Sequence, residues 1–168
     1  MFGQPGVDIL YPDPGFPIYR SMIEFTGANP VPVPIREENG FAFSAEETLK
    51  LITANTRLLI VSSPANPTGW TADRETLQAI LDLARRHGLW IVADEIYALF
   101  HFGGRRAASF MDIMEPEDRI LFVNSFSKNW AMTGWRVGWI ILPHGLTDQM
   151  DRLIEFNTSG GQSFLQHG

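Results

Sequence analysis

The chain has 168 residues, with 19 acidic against 13 basic side chains for a formal net charge of -6, and it is 45% hydrophobic with no cysteine. That is one packed domain's worth of chain, and its acidic surplus argues against a nucleic-acid surface, which needs clustered positive charge to meet phosphate. Disulfides, thiolate nucleophiles and cysteine-ligated zinc are excluded, His87, His101, His144 and His167 stand too far apart for a short-spaced metal motif, and no apolar run reaches the roughly 20 residues of a membrane helix.

The segment from Met1 to Pro5 reads as loop rather than secretory signal, so the expected compartment is the cytoplasm. A first buried strand is predicted over 7–11, followed by a helix that begins after Pro17 and stops at Gly27, with Met22, Ile23 and Phe25 available to pack. A second strand over 31–35 leads through the polar turn 37–40 to a helix over 44–54, opened by a Ser44-Ala45-Glu46-Glu47 capping box. The third strand spans 58–62. The clearest helix follows over 73–87, where Leu77, Ile80, Leu81 and Ala84 keep helical spacing, with Thr71 or Asp73 to cap it and Arg85, Arg86 and His87 before Gly88 to suit its negative end. Strands over 89–94 and 120–125 come next. A last one over 135–142 lies too close to its predecessor for a helical crossover, so it is expected to run antiparallel. The fold class is therefore α/β, a mostly parallel sheet with helices on both faces and one antiparallel strand. Both ends read as cut, because the first strand starts within a few residues of Met1 and 163–168 read as the opening of a helix with apolar residues still to bury. The expectation is a piece of a larger chain.

Ligands in such sheets sit beyond the carboxyl ends of the strands, and three segments there carry chemistry. Lys128, in Ser125-Phe126-Ser127-Lys128-Asn129-Trp130, follows the fifth strand. Most lysines at such a place are solvated loop residues. Here only Lys50 and Lys128 among the basic residues are not arginine, and Phe126, Trp130 and Trp135 flank Lys128. That pattern suits an amine that must lose its proton and attack a carbonyl, which guanidinium cannot do. Asp94 closes the fourth strand, with Tyr97 one turn later, and is either a turn cap or a carboxylate aimed into the crevice. Glu95 points the other way in extended chain, so the two acids do not form a glycosidase-type pair. The third segment, Asn66-Pro67-Thr68-Gly69, is a tight turn that also presents the Asn66 amide at the sheet's edge.

Taken in order, Asn66-Pro67-Thr68-Gly69, Asp94-Glu95-Ile96-Tyr97, Ser125-Phe126-Ser127-Lys128 and Gly134-Trp135-Arg136-Val137-Gly138 resemble the signature of class I/II, fold-type I, pyridoxal-phosphate-dependent aminotransferases. The segment 11–19 is similar to the family as well, and the resemblance runs from about Gly6 to Gln166. It implies that Lys128 is the Schiff-base lysine and proton-transfer base, and that Asp94 keeps the pyridine nitrogen protonated. It also implies that Tyr97 and Asn66 bond the ring's phenolic oxygen, that Ser125 and Arg136 hold the phosphate with Ser127 as a further contact, and that Phe16 stacks on the ring. No metal is implied. The substrates would be an amino acid and a 2-oxo acid, in amino acid metabolism, with a homodimeric full-length protein suggested by the Asn157-Thr158-Ser159 loop.

Two parts of the family pattern are missing: the N-terminal segment with its glycine-containing phosphate loop, and the C-terminal small domain with the arginine that binds the substrate carboxylate. Residues 1–168 are accordingly expected to be a partial cofactor-binding large domain. The isolated chain is expected to show little or no transamination, and brisk amino transfer to 2-oxoglutarate by the chain alone would overturn that. Other reactions share the signature, namely β-lyases, cyclopropane-forming synthases and decarboxylases. A non-catalytic, aminotransferase-like regulator module and a truncated product that folds incompletely are also compatible with it.

Overall fold

The six strands are built from short runs in which successive side chains face opposite sides of one sheet. The computed structural model describes residues 1–161 and 163–166. Its strands are β1 (Asp8–Asp13), β2 (Asn29–Pro34), β3 (Thr56–Ser62), β4 (Trp90–Asp94), β5 (Ile120–Ser125) and β6 (Gly138–Ile141). They lie in the order β2-β1-β3-β4-β5-β6. Every neighbouring pair is parallel except β5 and β6, which run antiparallel as their short connection requires. Residues 135–137, expected in that last strand, lie outside it: Trp135 closes a single 3-10 turn (Thr133–Trp135), and the strand begins only at Gly138.

The helices are α1 (Ile18–Phe25), α2 (Ala45–Leu51), α3 (Arg74–His87), α4 (Phe126–Asn129), α5 (Thr147–Thr158) and α6 (Ser163–Gln166). Of the two candidate caps for α3, the chain uses Asp73, whose carboxylate accepts from the Thr76 amide at 2.8 Å. Gly88 ends that helix at φ 64, a left-handed conformation that suits glycine. Ser44 caps α2 by accepting from the Glu47 amide, but the Glu47 carboxylate pairs with Lys50 at 2.6 Å, so only half of the expected box forms. α2 also stops at Leu51 rather than Ala54, because Ile52 turns extended at ψ 130. On α1 only Ile23 is buried; Met22 and Phe25 are exposed, contrary to expectation, since one short helix turns a single stripe to the sheet. α5, which has no counterpart among the helices expected from the sequence, carries Met150, Leu153 and Ile154 at helical spacing. Of the expected C-terminal helix, α6 is present, while His167 and Gly168 lie outside the described residues.

Strand alternation sorts the core onto two faces. Leu59 and Val61 of β3, Ile91 and Ala93 of β4 and Phe122 of β5 pack against Leu77, Ile80, Leu81 and Ala84 of α3. Leu58 and Ile60 point the other way, toward Ile9, Tyr11 and Ile23. Each fully buried Leu or Ile of these clusters contributes about 1.5–3 kcal/mol. At the amino end of the sheet, Arg85 makes a two-pronged bond to the buried Asp118, at 2.8 and 2.7 Å, which staples α3 to the segment entering β5. Among the described residues no helix is long and apolar enough to cross a membrane.

Strand order decides where a ligand can bind. From β1 the chain crosses to β2 on one side and returns to β3 on the other, which opens a crevice beyond the carboxyl ends of β1 and β3.

Candidate active site

Four segments converge on that crevice, and each arrives from the carboxyl end of a strand. After β1 come Phe16 and, in the first turn of α1, Tyr19, whose rings meet edge to face at 5.8 Å. After β3 comes a turn closed by the Gly69 amide on the Ala65 carbonyl and the Ala65 amide on the Trp70 carbonyl, at 2.9 and 2.8 Å. Gly69 sits at φ 72 in this turn, a conformation that other residues adopt with strain. β4 ends on Asp94, in register with Ser62 on β3 and Val123 on β5. After β5 the chain winds at once into α4, which carries Lys128. Phe16, Tyr19, Ser62, Asn66, Asp94, Ile96, Tyr97 and Lys128 line one cavity of about 110 Å³.

Asp94 is the electrostatic centre of the cavity. Its carboxylate accepts a hydrogen bond from the Tyr19 hydroxyl and another from the Ile96 amide at 3.3 Å. Burial nevertheless pushes the Asp94 carboxyl above its usual range, with those two bonds pulling the other way. Burial, reinforced by the negative charge of Asp94, drives the Tyr19 phenol far upward, so it remains a proton donor. Glu95 points to the opposite side of the strand, as alternation demands. It is buried with its carboxylate oxygens both 2.8 Å from the Ser109 hydroxyl, and it accepts from the Phe110 amide at 3.2 Å. The Lys128 ammonium nitrogen stands 5.9 Å from the centre of the Tyr97 ring.

Five of the eight residues singled out from the sequence, Phe16, Asn66, Asp94, Tyr97 and Lys128, therefore share one cavity. Ser125, Ser127 and Arg136 do not line it. The Ser125 hydroxyl caps α4, accepting from the Ser127 amide at 3.0 Å, and lies 2.9 Å from the Ser127 hydroxyl and 3.0 Å from the Val137 carbonyl. Arg136 is exposed and donates to the Thr133 carbonyl at 2.8 Å. The aromatic neighbours of Lys128 also sit elsewhere than expected. Phe126, Trp130 and Trp139 pack on one another, with ring centres 5.1 to 6.2 Å apart, and Trp135 is exposed. A short helix turns successive residues about 100° apart, so Phe126 and Trp130 face away from the amine.

Tyr19 is the residue that sequence reasoning missed. Its signal was present, an aromatic hydroxyl three residues after Phe16 where the predicted helix opens, in a turn closed by the Tyr19 amide on the Phe16 carbonyl at 3.0 Å, but nothing in the spacing said that Asp94 would be its partner. Tyr19→Phe removes one of the two bonds that hold the Asp94 charge. Cofactor affinity is expected to fall about ten-fold, the low end for a hydrogen bond to an ionised group, and fluorescence titration measures it.

A larger hollow, of about 230 Å³, lies at the other end of the sheet beside Arg85 and Arg119. Its guanidinium groups are committed to Asp118 and to the Gly88 carbonyl, and no comparable set of reactive groups converges there.

Residues 1–168 match the family model of aminotransferase class I and II, and the chain belongs to that family. It is 38% identical over 162 residues to the arginine–pyruvate transaminase AruH of Pseudomonas aeruginosa, covering 96% of this chain and 41% of that protein. It is 34% identical over 166 residues to an aspartate aminotransferase of Pyrococcus abyssi, covering 99% and 43% respectively. The solved aromatic aminotransferase from Pyrococcus horikoshii superposes with a TM-score of 0.91 at 34% identity, over 97% of this chain and 44% of that one. The chain thus spans about two fifths of the length of the curated relatives it matches.

The family's cofactor is pyridoxal 5′-phosphate, and the cavity's donor set suits it. A partly buried carboxylate with its own supporting bonds, an amide, a phenol, an amine and an aromatic face are what a pyridinium, a phenolic oxygen, an aldehyde and a flat ring require.

Proposed function

We propose that this chain is the cofactor-binding part of an aminotransferase that exchanges an amino group between an amino acid and a 2-oxo acid, with Lys128 as the covalent anchor. The observation that carries the reading is the single cavity in which the Lys128 amine, the Asp94 carboxylate, Asn66 and Tyr97 meet.

Pyridoxal 5′-phosphate, when bound, supplies an aldehyde to take up the amino group and a ring to accept the electron pair released at the substrate's α-carbon. Everything else falls to the protein's side chains. Lys128 is the nucleophile toward the aldehyde and, once displaced, the base that carries a proton to and from the α-carbon. Asp94 keeps the ring nitrogen protonated, with Tyr19 holding its carboxylate in place. Asn66 and Tyr97 serve the phenolic oxygen, and Phe16 offers a face to the ring. Ser125 and Arg136 are the proposed phosphate ligands. Arg136 suits the role because its fork keeps further N–H donors beyond the one on the Thr133 carbonyl.

The full-length protein is proposed to be a cytoplasmic homodimer. Asn157, Thr158 and Ser159 are exposed at the end of α5, with Ser159 at φ 54, a place from which they can reach a partner. The test of the central reading is borohydride reduction of the chain after incubation with pyridoxal 5′-phosphate, followed by peptide mass spectrometry. A phosphopyridoxyl group on Lys128 is the expected result. Its absence, or equal labelling of Lys50, overturns the assignment.

A further inference from the structure

The turn that presents Tyr97 is held at its base on one side of β4 and at its tip on another element. At the base, Glu95 is tied to Ser109 and Phe110, and the Ala107 amide donates to the Ala98 carbonyl at 2.8 Å. Within the turn the Ala98 amide donates to the Glu95 carbonyl at 2.9 Å and the Phe100 amide to the Tyr97 carbonyl at 2.8 Å. The Phe100 ring then meets the Tyr97 ring edge to face at 5.6 Å. None of these contacts refers to the lysine.

The tip does. The Leu99 amide donates to Oδ1 of Asn129 at 3.2 Å, and Asn129 is the residue directly after Lys128 on α4. Among the described residues this is the hydrogen bond that joins the 95–100 turn to α4. We propose that Asn129 is a positioning residue, clipping the Tyr97 turn to the Lys128 turn so that phenol and amine keep one mutual placement. The inference deepens the functional reading above and rests on it for the roles of Tyr97 and Lys128.

The residue type fits the task. A side-chain amide offers a carbonyl acceptor of the right reach without adding a negative charge next to the amine, which a carboxylate would do. The bond crosses from one loop to another, so neither β4 nor β5 enforces it. Among the described residues, the other backbone hydrogen bond between the β4 and β5 exits lies at the strands' own ends, where the Glu95 amide meets the Val123 carbonyl at 3.1 Å.

Two variants test it in the full chain. Asn129→Leu keeps the side chain's shape and removes the acceptor, whereas Asn129→Asp keeps the acceptor. Without ligand, hydrogen exchange of the Leu99 amide is expected to quicken about five-fold in the Leu variant, the worth of one ordinary hydrogen bond. It should stay near the parent rate in the Asp variant, and exchange at Val61, in β3, should be unchanged in both. With pyridoxal 5′-phosphate bound, the absorption maximum of Asn129→Leu is expected to shift in the same direction as that of Tyr97→Phe. The double variant should show no further shift, because both changes disturb one unit. Parent-like exchange at Leu99 in Asn129→Leu, equal quickening at Val61, or spectral shifts that add would each overturn the proposal. Failure to trap the cofactor on Lys128 in the parent chain would overturn the functional reading instead, and the exchange measurement distinguishes the two because it needs no cofactor.

Discussion

Lys128→Arg is expected to abolish borohydride-stable attachment of pyridoxal 5′-phosphate, from one phosphopyridoxyl group at this position to none, although the positive charge is kept. Guanidinium does not give up its proton in proteins and so cannot attack the aldehyde, while it can still attract an anionic phosphate. Comparison with Lys128→Ala separates the two contributions. Both variants should lose the adduct, and reversible binding should weaken more in the Ala variant. The chain's other lysine does not substitute for it. Lys50 is exposed on α2 and its ammonium is paired with Glu47 at 2.6 Å and Glu46 at 3.6 Å. The hydrogen bond to Glu47 raises its pKa, which leaves less free amine to react at neutral pH. Peptide mapping that finds a Lys50 adduct of equal yield in the parent chain, or any adduct that survives in Lys128→Arg at the parent level, would remove Lys128 from its assigned role.

Much of this arrangement was legible in the sequence, for reasons that differ from residue to residue. β5 was readable to the residue because Ile120 to Val123 is an uninterrupted apolar run that the polar pair Asn124 and Ser125 closes. α3 was readable because its buried stripe and both caps agree on one helix. Lys128, Asp94 and Asn66 could be placed together because each closes or follows a parallel strand, and parallel strands bring their carboxyl ends to one side.

What escaped depends on partners distant in the chain or on short-range backbone choices. Tyr19 and Asp94 lie 75 positions apart. No local pattern encodes that pairing, which follows only once β1 and β4 are known to flank β3. Residues 135–137 look like the start of a strand by composition, yet Trp135 closes a 3-10 turn and Ala131 and Arg136 take φ values of 53 and 55, which bend the chain there. The environment of Lys128 was misjudged for a related reason. Phe126 and Trp130 are close to it in sequence, but α4 rotates them away, and Tyr97 from another loop takes their place.

The second large effect concerns Asp94, where binding and stability are expected to move in opposite directions. In the ligand-free chain, burial raises the Asp94 carboxyl above its value in the unfolded chain, and Tyr19 and Ile96 offset only part of that. A raised carboxyl contributes its stability fully below the unfolded value of about 3.9 and loses it as pH rises through the folded value. At pH 7 the ionised Asp94 is therefore a net cost to the ligand-free fold. Asp94→Asn removes the charge and keeps an oxygen acceptor for the Tyr19 hydroxyl. Its thermal midpoint without cofactor is expected to exceed the parent's at pH 7, with the difference vanishing near pH 3. Cofactor binding should weaken by about 30-fold or more, the lower bound for removing one partner of a desolvated charge pair. Calorimetry at the two pH values and a fluorescence titration measure both halves. A variant that binds the cofactor as tightly as the parent would show that Asp94 does not face a ring cation. A variant that is less stable than the parent at pH 7 would show that the carboxylate is held by its hydrogen bonds more firmly than burial opposes it. A charge that is costly until its counter-ion arrives is what a binding residue, as opposed to a packing residue, contributes to a fold.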